Sequence, residues 1–425
     1  MLNYRGRITD EILKRKLKGI GAVLIEGPKL CGKTTTAEQA AKSILYMADP
    51  DDRAQNLQMA QLKPSLLLEG QTPRLIDEWQ IAPTIWDAVR FEVDHRNENG
   101  QFILTGSAVP ADRSKLFHSG TGRFAWVKMR TMSLYESGDS SGDVSLKSLF
   151  EQKSDVVGIN SSDEIEKIAY LACRGGWPTT LELEEDISLD RAYDYYDAIV
   201  NVDISRVDEV KRNSERAKRL MRAYARSIGT QISYATLQND ISANDSDTLN
   251  VNTVMSYVHA LQKIFIIEDM PAWNPNIRSK TAIRTSDTRY FTDPSIAVAA
   301  LGLGPKDLIK DLKTFGFVFE NLCVRDLRVY ADALGGQVYH YRDKSGLECD
   351  AVIHLKDGKY ALIEIKLGGE ENIEYGAKTL IQLKNKIDYD KMPVPSFMMV
   401  LTGKGKYAYK REDDVYVVPL GALKN

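Results

Sequence analysis

The amino-acid sequence predicts an α/β protein: a parallel sheet near the amino terminus, then a helical region, then a second α/β domain. Apolar runs alternate with helix-compatible segments over the first 150 residues, which is typical of parallel strands covered on both faces. Helix patterns dominate the middle of the chain, and alternation with a period of two returns near the carboxyl terminus. A length of 425 residues allows two to four domains. The predicted strands of the first sheet are 22–25, 65–68, 74–76 and 101–104.

The composition is that of an ordinary globular protein, with 43% apolar and 27% charged residues. The formal net charge of −3 gives no overall attraction to nucleic acid, so any such contact requires a local patch. No apolar run approaches the roughly 18 residues that span a bilayer, and the first residues lack the apolar core of a signal peptide. The 4 cysteines lie far apart without a C-x-x-C pair. We therefore expect a cytoplasmic protein without a membrane contact, a disulfide framework or a zinc site.

The most specific motif follows the first predicted strand. It fits G-x-x-x-x-G-K-[ST] at every defined position, and it consists of Gly27, Pro28, Lys29, Leu30, Cys31, Gly32, Lys33 and Thr34. A strand, a glycine-rich loop and a helix in this order direct backbone N–H groups and the helix N-terminus toward an anion. An ordinary glycine turn gives no reason for Lys-Thr after the second glycine. We expect ATP to bind here, with Lys33 on the β- and γ-phosphates, Thr34 on Mg²⁺, and Thr35 in the same site.

Two further predicted strands end in polar side chains. One ends in Asp77 and Glu78, and the next is followed by Thr105 and Ser107. Asp77 is expected to hold Mg²⁺ through its water shell, and Glu78 to orient and deprotonate the water that attacks the γ-phosphate. Thr105 or Ser107 is a candidate contact to the γ-phosphate or to that water, although a plain glycine turn explains the segment equally well. These residues predict a Mg²⁺-dependent ATPase.

Three other residues are candidates for the nucleotide site. Arg123 lies in a glycine-rich loop and is a candidate finger on the transferring phosphoryl group, in its own subunit or in a neighbouring one. Arg130 is a second candidate, and a surface arginine is the alternative for both. Pro178 completes a Gly-x-Pro between predicted helices, where the proline ring can pack on adenine. A helix stop followed by a helix that begins with proline is the alternative interpretation.

The helical region from 214 to 272 combines three short helices with a strand, which predicts a winged helix-turn-helix. Its third helix, 251–263, offers Lys263 as its only cation. Such a face binds phosphates poorly, so a packing or lid role is favoured over the reading of DNA.

Four residues near the carboxyl terminus have a pattern suited to phosphodiester hydrolysis. Glu320 lies on a predicted helix, and Asp350 lies at the start of a strand. Glu364 and Lys366 share one face of the next strand. Acids around a divalent metal, with a lysine that orients water or offsets charge, suit this chemistry. We expect Asp350, Glu364 and Glu320 to bind the metal, and solvated strands whose acids face water are the alternative.

These blocks together resemble the AAA-type ATPases that join an ATPase core to a carboxyl-terminal domain of unknown function, the AAA_14/DUF4143 family. The resemblance covers nearly the whole chain and also includes the segments 75–80, 103–107, 132–136, 175–178, 319–321 and 348–366. It implies a P-loop NTPase core in residues 1–150 and a helical lid with a winged helix in residues 151–290. For residues 291–425 it implies a restriction-endonuclease-like domain similar to PD-(D/E)xK nucleases. The likeness of the lid to archaeal-type and STAND ATPases favours Pro178 as the adenine contact.

Two functions agree with the sequence. In the first, an ATPase or ATP-driven switch repositions a metal-dependent nuclease-like domain that acts on DNA or RNA. In the second, the ATPase is regulatory, and its carboxyl-terminal domain is an inactive module that binds a protein partner. The acid–acid–lysine set favours the first, whereas the acidic chain without a basic stripe favours the second. An oligomer is compatible with both, and it would let Arg123 act on a neighbouring subunit.

Overall fold

The structure, a computed structural model, describes residues 4–107, 120–153, 158–159, 164–208, 210–242, 250–275 and 286–425. The chain forms two compact units. The first comprises residues 1–131, 201–212 and 259–265, and the second comprises residues 132–200, 213–258 and 266–425. The three predicted domains, 1–150, 151–290 and 291–425, stay a prediction at the level of their boundaries.

The first unit contains a parallel sheet of five strands in the order β2-β3-β4-β1-β5. Its strands are β1 (Ala22–Glu26), β2 (Ser43–Tyr46), β3 (Arg74–Asp77), β4 (Phe102–Gly106) and β5 (Phe124–Lys128). The helices of the same stretch are α1 (Ile8–Leu17), α2 (Lys33–Ala40), α3 (Arg53–Leu62) and α4 (Thr84–Arg96). This sheet confirms the predicted α/β class of the amino-terminal part.

Both faces of this sheet are covered by apolar side chains. Leu75 and Ile103 belong to one buried cluster, whereas their neighbours Ile76 and Leu104 belong to another. Successive residues of a strand point to opposite faces, so the two clusters lie on the two sides of the sheet. This double burial explains why the strands are continuous apolar runs rather than alternating ones.

One predicted strand is wrong. Residues 65–68 lie in a 3₁₀ helix, Pro64–Leu68, and the edge of the sheet next to β3 is formed by Ser43–Tyr46 instead. An apolar run of four residues does not separate a strand from a buried helical turn, and Pro64 favours the first turn of a helix. The sequence also predicts a helix-compatible segment from Thr35 to Leu45, whereas in the structure α2 ends at Ala40 and residues 43–46 form β2.

The remainder of the chain contains twelve more α-helices and nine more strands among the described residues. The helices are α5 (Leu134–Ser137), α6 (Leu146–Phe150), α7 (Ile165–Arg174), α8 (Glu185–Ala198), α9 (Ile204–Arg206), α10 (Ser214–Ala225), α11 (Tyr234–Ser242), α12 (Val251–Lys263), α13 (Pro294–Leu301), α14 (Pro305–Lys310), α15 (Leu312–Ala333) and α16 (Glu370–Lys386). The strands are β6 (Val144–Ser145), β7 (Gly158–Ile159), β8 (Gly336–Arg342), β9 (Glu348–Leu355), β10 (Tyr360–Lys366), β11 (Phe397–Thr402), β12 (Tyr407–Lys410), β13 (Val415–Pro419) and β14 (Leu423–Lys424).

The second unit is built on a mixed sheet of seven strands in the order β7-β12-β13-β11-β10-β9-β8. Strands β10, β11 and β13 are parallel, and β8, β9 and β10 form an antiparallel meander. Helices α15 and α16 both pack against this sheet. Ala377, Leu380 and Leu383 of α16 join Leu362 and Val400 of the strands in one buried cluster. The second α/β body predicted near the carboxyl terminus is therefore confirmed as a sheet domain.

The helical region contains the three helices that the sequence predicts, α10, α11 and α12. The predicted strand after them is present as isolated antiparallel bridges, Ile267 with Phe291 and Met270 with Thr288. Residues 276–285 between these bridges lie outside the described part of the chain. The winged helix-turn-helix therefore stays a prediction. Within the described residues, no helix combines the length and apolar character that crossing a membrane requires.

Candidate functional site

The glycine-rich loop lies between β1 and α2, at the carboxyl edge of the parallel sheet. A Cβ on Gly27 would lie 2.0 Å from the Met129 carbonyl oxygen, and Gly32 has φ = 100°. Both positions therefore need glycine, one for close backbone approach and one for a left-handed conformation. Helix α2 begins directly at Lys33, so its free N–H groups face the loop. Thr34 and Thr35 continue its first turn.

The ammonium of Lys33 lies inside this loop. Its Nζ donates to the carbonyl oxygens of Gly27 at 3.0 Å and Pro28 at 2.8 Å, and the side chain is buried. Cys31 is also buried, with its Sγ 3.7 Å from the Met129 carbonyl oxygen. The loop therefore keeps a cation at its centre, where anions are expected to bind.

Asp77 brings two predicted hydroxyls together. Thr34 Oγ1 donates to Asp77 Oδ1 at 2.7 Å, and Thr105 Oγ1 donates to the same oxygen at 2.5 Å. The pairing of β3 with β4 places Asp77 beside Thr105. One carboxylate and one hydroxyl suit Mg²⁺, which in nucleotide sites takes one or two carboxylates together with phosphate oxygens and water. The donor set of Thr34 and Asp77 therefore fits this ion.

Glu78 and Ser107 form a second contact at the same edge. Ser107 Oγ donates to Glu78 Oε2 at 3.1 Å, and Glu78 has a left-handed φ of 55°. The side-chain amide of Gln80 donates to the same Oε2 oxygen. Gln80 Oε1 is a buried oxygen without a hydrogen-bond partner among the described residues. We did not select Gln80 from the sequence, although its position two residues after Glu78 was a usable signal.

Arg7 was also missed, because it precedes the motif by about twenty residues. Its buried guanidinium donates from Nη1 to the Cys31 carbonyl at 2.7 Å and from Nη2 to the Arg130 carbonyl at 2.9 Å. It therefore ties the glycine-rich loop to the segment that follows β5. Arg130, the second finger candidate, is itself buried in this segment.

Lys29 of the loop is held by a residue far along the chain. Its Nζ forms a 2.6 Å ion pair with Asp203 Oδ1, and 49% of the Lys29 side chain is exposed. Asp203 belongs to the stretch 201–212, which is part of the first unit.

Arg123 lies at the other edge of the sheet. Its carbonyl accepts from Ala22 N at 3.1 Å, and Ala22 begins β1 whereas the glycine-rich loop follows the end of that strand. A strand of this length separates the two edges by about 15 Å. Arg123 Nε instead contacts Asp94 Oδ1 at 2.7 Å. This placement argues against a role in the same subunit, and a role toward a neighbouring subunit stays a prediction.

Pro178 begins a 3₁₀ helix, Pro178–Thr180, in the second unit. The residues before it have structural partners. Gly176 N donates to Asp293 Oδ2 at 3.0 Å, and Trp177 Nε1 donates to Ser295 Oγ at 3.0 Å. A Cβ on Gly176 would lie 2.1 Å from the Met132 carbonyl oxygen. The motif therefore has a packing role within the second unit, and the contact of Pro178 with adenine stays a prediction.

The same Asp293, which caps α13, forms a buried charged cluster with Arg325 and Asp326 of α15. Arg325 Nη1 is 3.2 Å from Asp293 Oδ2, and Arg325 Nη2 is 2.7 Å from Asp326 Oδ1. Asp326 Oδ2 accepts from Leu134 N at 2.9 Å. Burial raises the pKa of Asp326 to about 6, although Arg325 opposes this shift. Two segments of the sequence resemblance, 132–136 and 175–178, thus meet at one structural cluster.

Three of the four predicted carboxyl-terminal residues come together. Lys366 Nζ lies 2.7 Å from Glu364 Oε2 and 3.0 Å from Asp350 Oδ2. Asp350 Oδ2 also accepts from the backbone N of Ile365 at 2.8 Å. The antiparallel pairing of β9 with β10 produces this arrangement. We call Asp350, Glu364 and Lys366 the acid–lysine centre.

Glu320 is turned toward a tyrosine. Its Oε1 accepts from the Tyr290 hydroxyl, and it lines a small cavity of about 30 Å³ together with Asp350. Burial raises the pKa of both Glu320 and Glu364, and the nearby charge of Asp350 adds to both shifts. Burial alone would lower the pKa of Lys366, but Asp350 and Glu364 outweigh it and raise that pKa.

The predicted three-acid metal site is not formed. Among the described residues, no group of three or more His, Cys, Asp and Glu side chains is arranged to hold a metal ion. Glu320 bonds to Tyr290 instead, and the ammonium of Lys366 lies against both other acids. Asp350 and Glu364 remain as a pair of carboxylates. Mg²⁺ is commonly bound by one or two carboxylates together with phosphate oxygens and water, so the pair is sufficient for this ion.

Family models match three segments of the chain. Residues 20–137 match AAA_14, an AAA domain, and residues 315–423 match DUF4143, a domain of unknown function. Residues 165–307 match DUF8612, a second domain of unknown function. Residues 20–137 thus form an AAA domain, and residues 315–423 form a DUF4143 domain. The chain has the AAA_14/DUF4143 architecture of AAA-type ATPases, and the resemblance inferred from the sequence is confirmed.

Relatives and solved structures share low sequence identity with the chain. Uncharacterized proteins of Mycobacterium tuberculosis and Mycobacterium bovis are each 22% identical over 411 residues, which is 96% of this chain and 82% of theirs. The Walker-type ATPase PABY2304 of Pyrococcus abyssi is 15% identical with a TM-score of 0.41, over 70% of this chain and 96% of its own. The STAND protein PH0952 of Pyrococcus horikoshii has a tetratricopeptide repeat sensor. It is 14% identical with a TM-score of 0.25, over 79% of this chain and 53% of its own.

Proposed function

We propose that this chain hydrolyses ATP with Mg²⁺ and that its nucleotide state controls a nuclease-like carboxyl-terminal domain acting on DNA or RNA. The AAA domain makes the protein an ATP-binding ATPase in general terms. The observation that carries the ATPase half is the convergence of the glycine-rich loop, Thr34, Asp77 and Glu78 at one edge of the sheet. The observation that carries the nuclease half is the acid–lysine centre.

The nucleotide chemistry follows from the positions of three side chains. The loop N–H groups and the Lys33 ammonium would bind the β- and γ-phosphates, which replace the loop carbonyls as partners of Lys33. Thr34 and Asp77 would hold Mg²⁺, and this ion, when bound, neutralises charge on the phosphate oxygens. Glu78 would orient the attacking water and accept its proton, with Ser107 and Gln80 fixing the carboxylate.

Lys33→Ala is expected to abolish ATP binding, because it removes the cation at the centre of the loop. Glu78→Gln is expected to keep binding within about threefold while turnover falls at least a hundredfold, since its amide does not accept the proton of water. Equilibrium binding of a labelled ATP analogue and phosphate release measure the two effects. The exposed Lys18→Ala serves as the matched control. Unchanged turnover in Glu78→Gln would remove Glu78 from the mechanism.

In the carboxyl-terminal domain, the acid–lysine centre is suited to hydrolysis of a phosphodiester. Water adds to phosphorus, the ester P–O bond breaks, and the leaving oxygen takes a proton. The side chains of Asp350 and Glu364 would bind a divalent metal, which stabilises charge on the phosphate when present. Lys366, whose raised pKa keeps it protonated, would offset charge on the reacting phosphate.

Metal-dependent cutting of plasmid or RNA is expected for the wild type with Mg²⁺ or Mn²⁺. Asp350→Ala and Lys366→Ala are each expected to reduce the cutting rate at least a hundredfold, because each removes one partner of the centre. The exposed Lys356→Ala is the control on the adjoining hairpin. Gel-based cleavage with and without ATP gives the readout.

A second function is favoured by one observation. Lys366 contacts both acids, and no three-acid group exists among the described residues. This arrangement also suits an inactive fold that stabilises itself by ion pairs and serves as a protein-interaction module. Absence of metal-dependent cutting by the wild type, with and without ATP, would support this function, in which ATP turnover is regulatory.

A further inference from the structure

Helix α16 and the acid–lysine centre line one groove of about 750 Å³. Asp350, Glu364 and Lys366 lie in its wall, together with side chains from the helix. The helix contributes Tyr375, Lys378, Thr379, Gln382 and Lys386. Their spacing of three or four residues places them on one face of α16, which extends about 16 Å from the first to the last.

The face of α16 that lines the groove differs from the face that packs against the core of the sheet domain. Ala377, Leu380 and Leu383 pack into the core of the sheet domain from the other face. Tyr375 is 68% exposed. The ring is therefore available to a ligand in the groove, and its loss leaves the core intact.

The same face carries two lysines whose partners hold them at the surface. Lys378 Nζ lies 3.3 Å from Glu374 Oε1, and Lys386 Nζ contacts Asp343 and Ser345. The two lysine side chains are 66% and 48% exposed. Lys378 and Glu374 form an exposed ion pair, which is weak enough for a phosphate to take the place of the carboxylate. The exposed part of Lys386 can contact a phosphate beside Asp343. With Lys366, three lysines line the groove.

We propose that this groove binds single-stranded nucleic acid and leads it into the acid–lysine centre. The inference rests on the proposed nuclease-like function and specifies its substrate. An exposed aromatic ring stacks on any base, and a row of lysines follows a phosphate backbone, which together are the usual means of binding single strands. A duplex requires a broad basic surface, which a chain of net charge −3 does not supply overall. An acidic peptide could use the same lysines, but it has no base to stack on Tyr375.

The test is fluorescence anisotropy of the full chain with a labelled twelve-nucleotide oligo(dT) and with the matching duplex, in Ca²⁺ buffer. We expect tighter binding of the single strand than of the duplex. Tyr375→Ala should weaken single-strand binding about tenfold, whereas Tyr375→Phe keeps the ring and should bind within twofold of wild type. Lys378→Ala and Lys386→Ala should each weaken binding and reduce its salt dependence by about one phosphate contact.

The matched controls are Tyr407→Ala, which removes a tyrosine that is 61% exposed on β12, and Lys406→Ala beside it. Equal losses in Tyr375→Ala and Tyr407→Ala, tighter binding of the duplex, or equally strong displacement by polyglutamate would each overturn the proposal. Single-strand binding that depends on Tyr375 without cleavage in Mg²⁺ or Mn²⁺ would support the groove and count against the nuclease. Cleavage of duplex DNA without single-strand binding would support the nuclease and contradict the proposed groove.

Discussion

Gln80 shows how a single side chain can tune the nucleotide site. Its amide donates to Glu78 Oε2, the same oxygen that accepts from Ser107, while Glu78 has a left-handed backbone. Two donors therefore hold the same oxygen of the Glu78 carboxylate. We infer that Gln80 is a positioning residue, which acts on the attacking water through Glu78.

Gln80→Ala is expected to lower kcat for ATP about tenfold and to change KM less than twofold, because phosphate binding does not involve the carboxylate. Phosphate-release kinetics measure both constants. The control is the double variant with Glu78→Gln, which should be no slower than Glu78→Gln alone if Gln80 acts only through Glu78. Additive losses in the double variant would show an independent role.

At the scale of single residues, the sequence predicted the residues that belong to a motif. It did not predict the residues elsewhere in the chain that hold the motif in place by hydrogen bonds. The loop, Asp77 and Glu78 follow from spacing, because the chemistry requires those residue types there. Arg7 and Gln80 act by hydrogen bonds whose geometry depends on the folded chain. No pattern in one sequence marks an arginine that bonds carbonyl oxygens far ahead of it.

At the scale of elements, strand β8 contains a buried histidine, His340, whose pKa is lowered. The ring of His340 is buried, with Nδ1 3.1 Å from Gln231 Nε2 and Nε2 3.2 Å from the Ser286 carbonyl oxygen. Burial lowers the pKa of His340 to about 4, and the charge of Arg342 acts in the same direction. The strand lies at the edge of its sheet, bridged to Ala272.

The contribution of His340 to the stability of the second unit is expected to fall as the pH falls from about 6.5 toward 4. The unfolded chain takes up the proton near pH 6.5, whereas the folded chain does so near pH 4, so the unfolded state binds more protons in between. The loss from this one group is at most about 3 kcal/mol. Urea unfolding of wild type and His340→Gln across this range measures it. A stability difference between the two proteins that is independent of pH would contradict the assignment.

Elements were predicted where their periodicity was long and were misjudged where it was short. Helix α12 has the bounds 251–263 that the sequence gives, and the β9–β10 hairpin follows its alternation. The prediction of a strand at residues 65–68 was wrong, because a run of four apolar residues fits a buried helical turn as well as a strand. The acid–lysine centre was predictable from alternation, but the turn of Glu320 toward Tyr290 was not.

For the whole molecule, the proposed control of the carboxyl-terminal domain by ATP makes a prediction about hydrogen exchange. ATP with Mg²⁺ is expected to slow exchange in the loop segment 27–36 by direct contact. If nucleotide state controls the nuclease-like domain, exchange in 348–366 and 370–386 should also change. Mass spectrometry of the full chain, with Lys33→Ala as the control that shows neither effect, measures this. Protection confined to the first unit would contradict the proposed coupling.

The first unit is completed by chain that returns from much later in the sequence. Residues 201–212 and 259–265 belong to it, and Asp203 in the first of these stretches holds Lys29 of the glycine-rich loop. A truncated protein that ends at residue 150 would keep the whole phosphate-binding motif. It would lose residues 201–212 and 259–265 of the first unit, and with them the ion pair between Lys29 and Asp203. Dissection by deletion is therefore a poor route to this ATPase, and point substitution in the intact polypeptide is the sounder one.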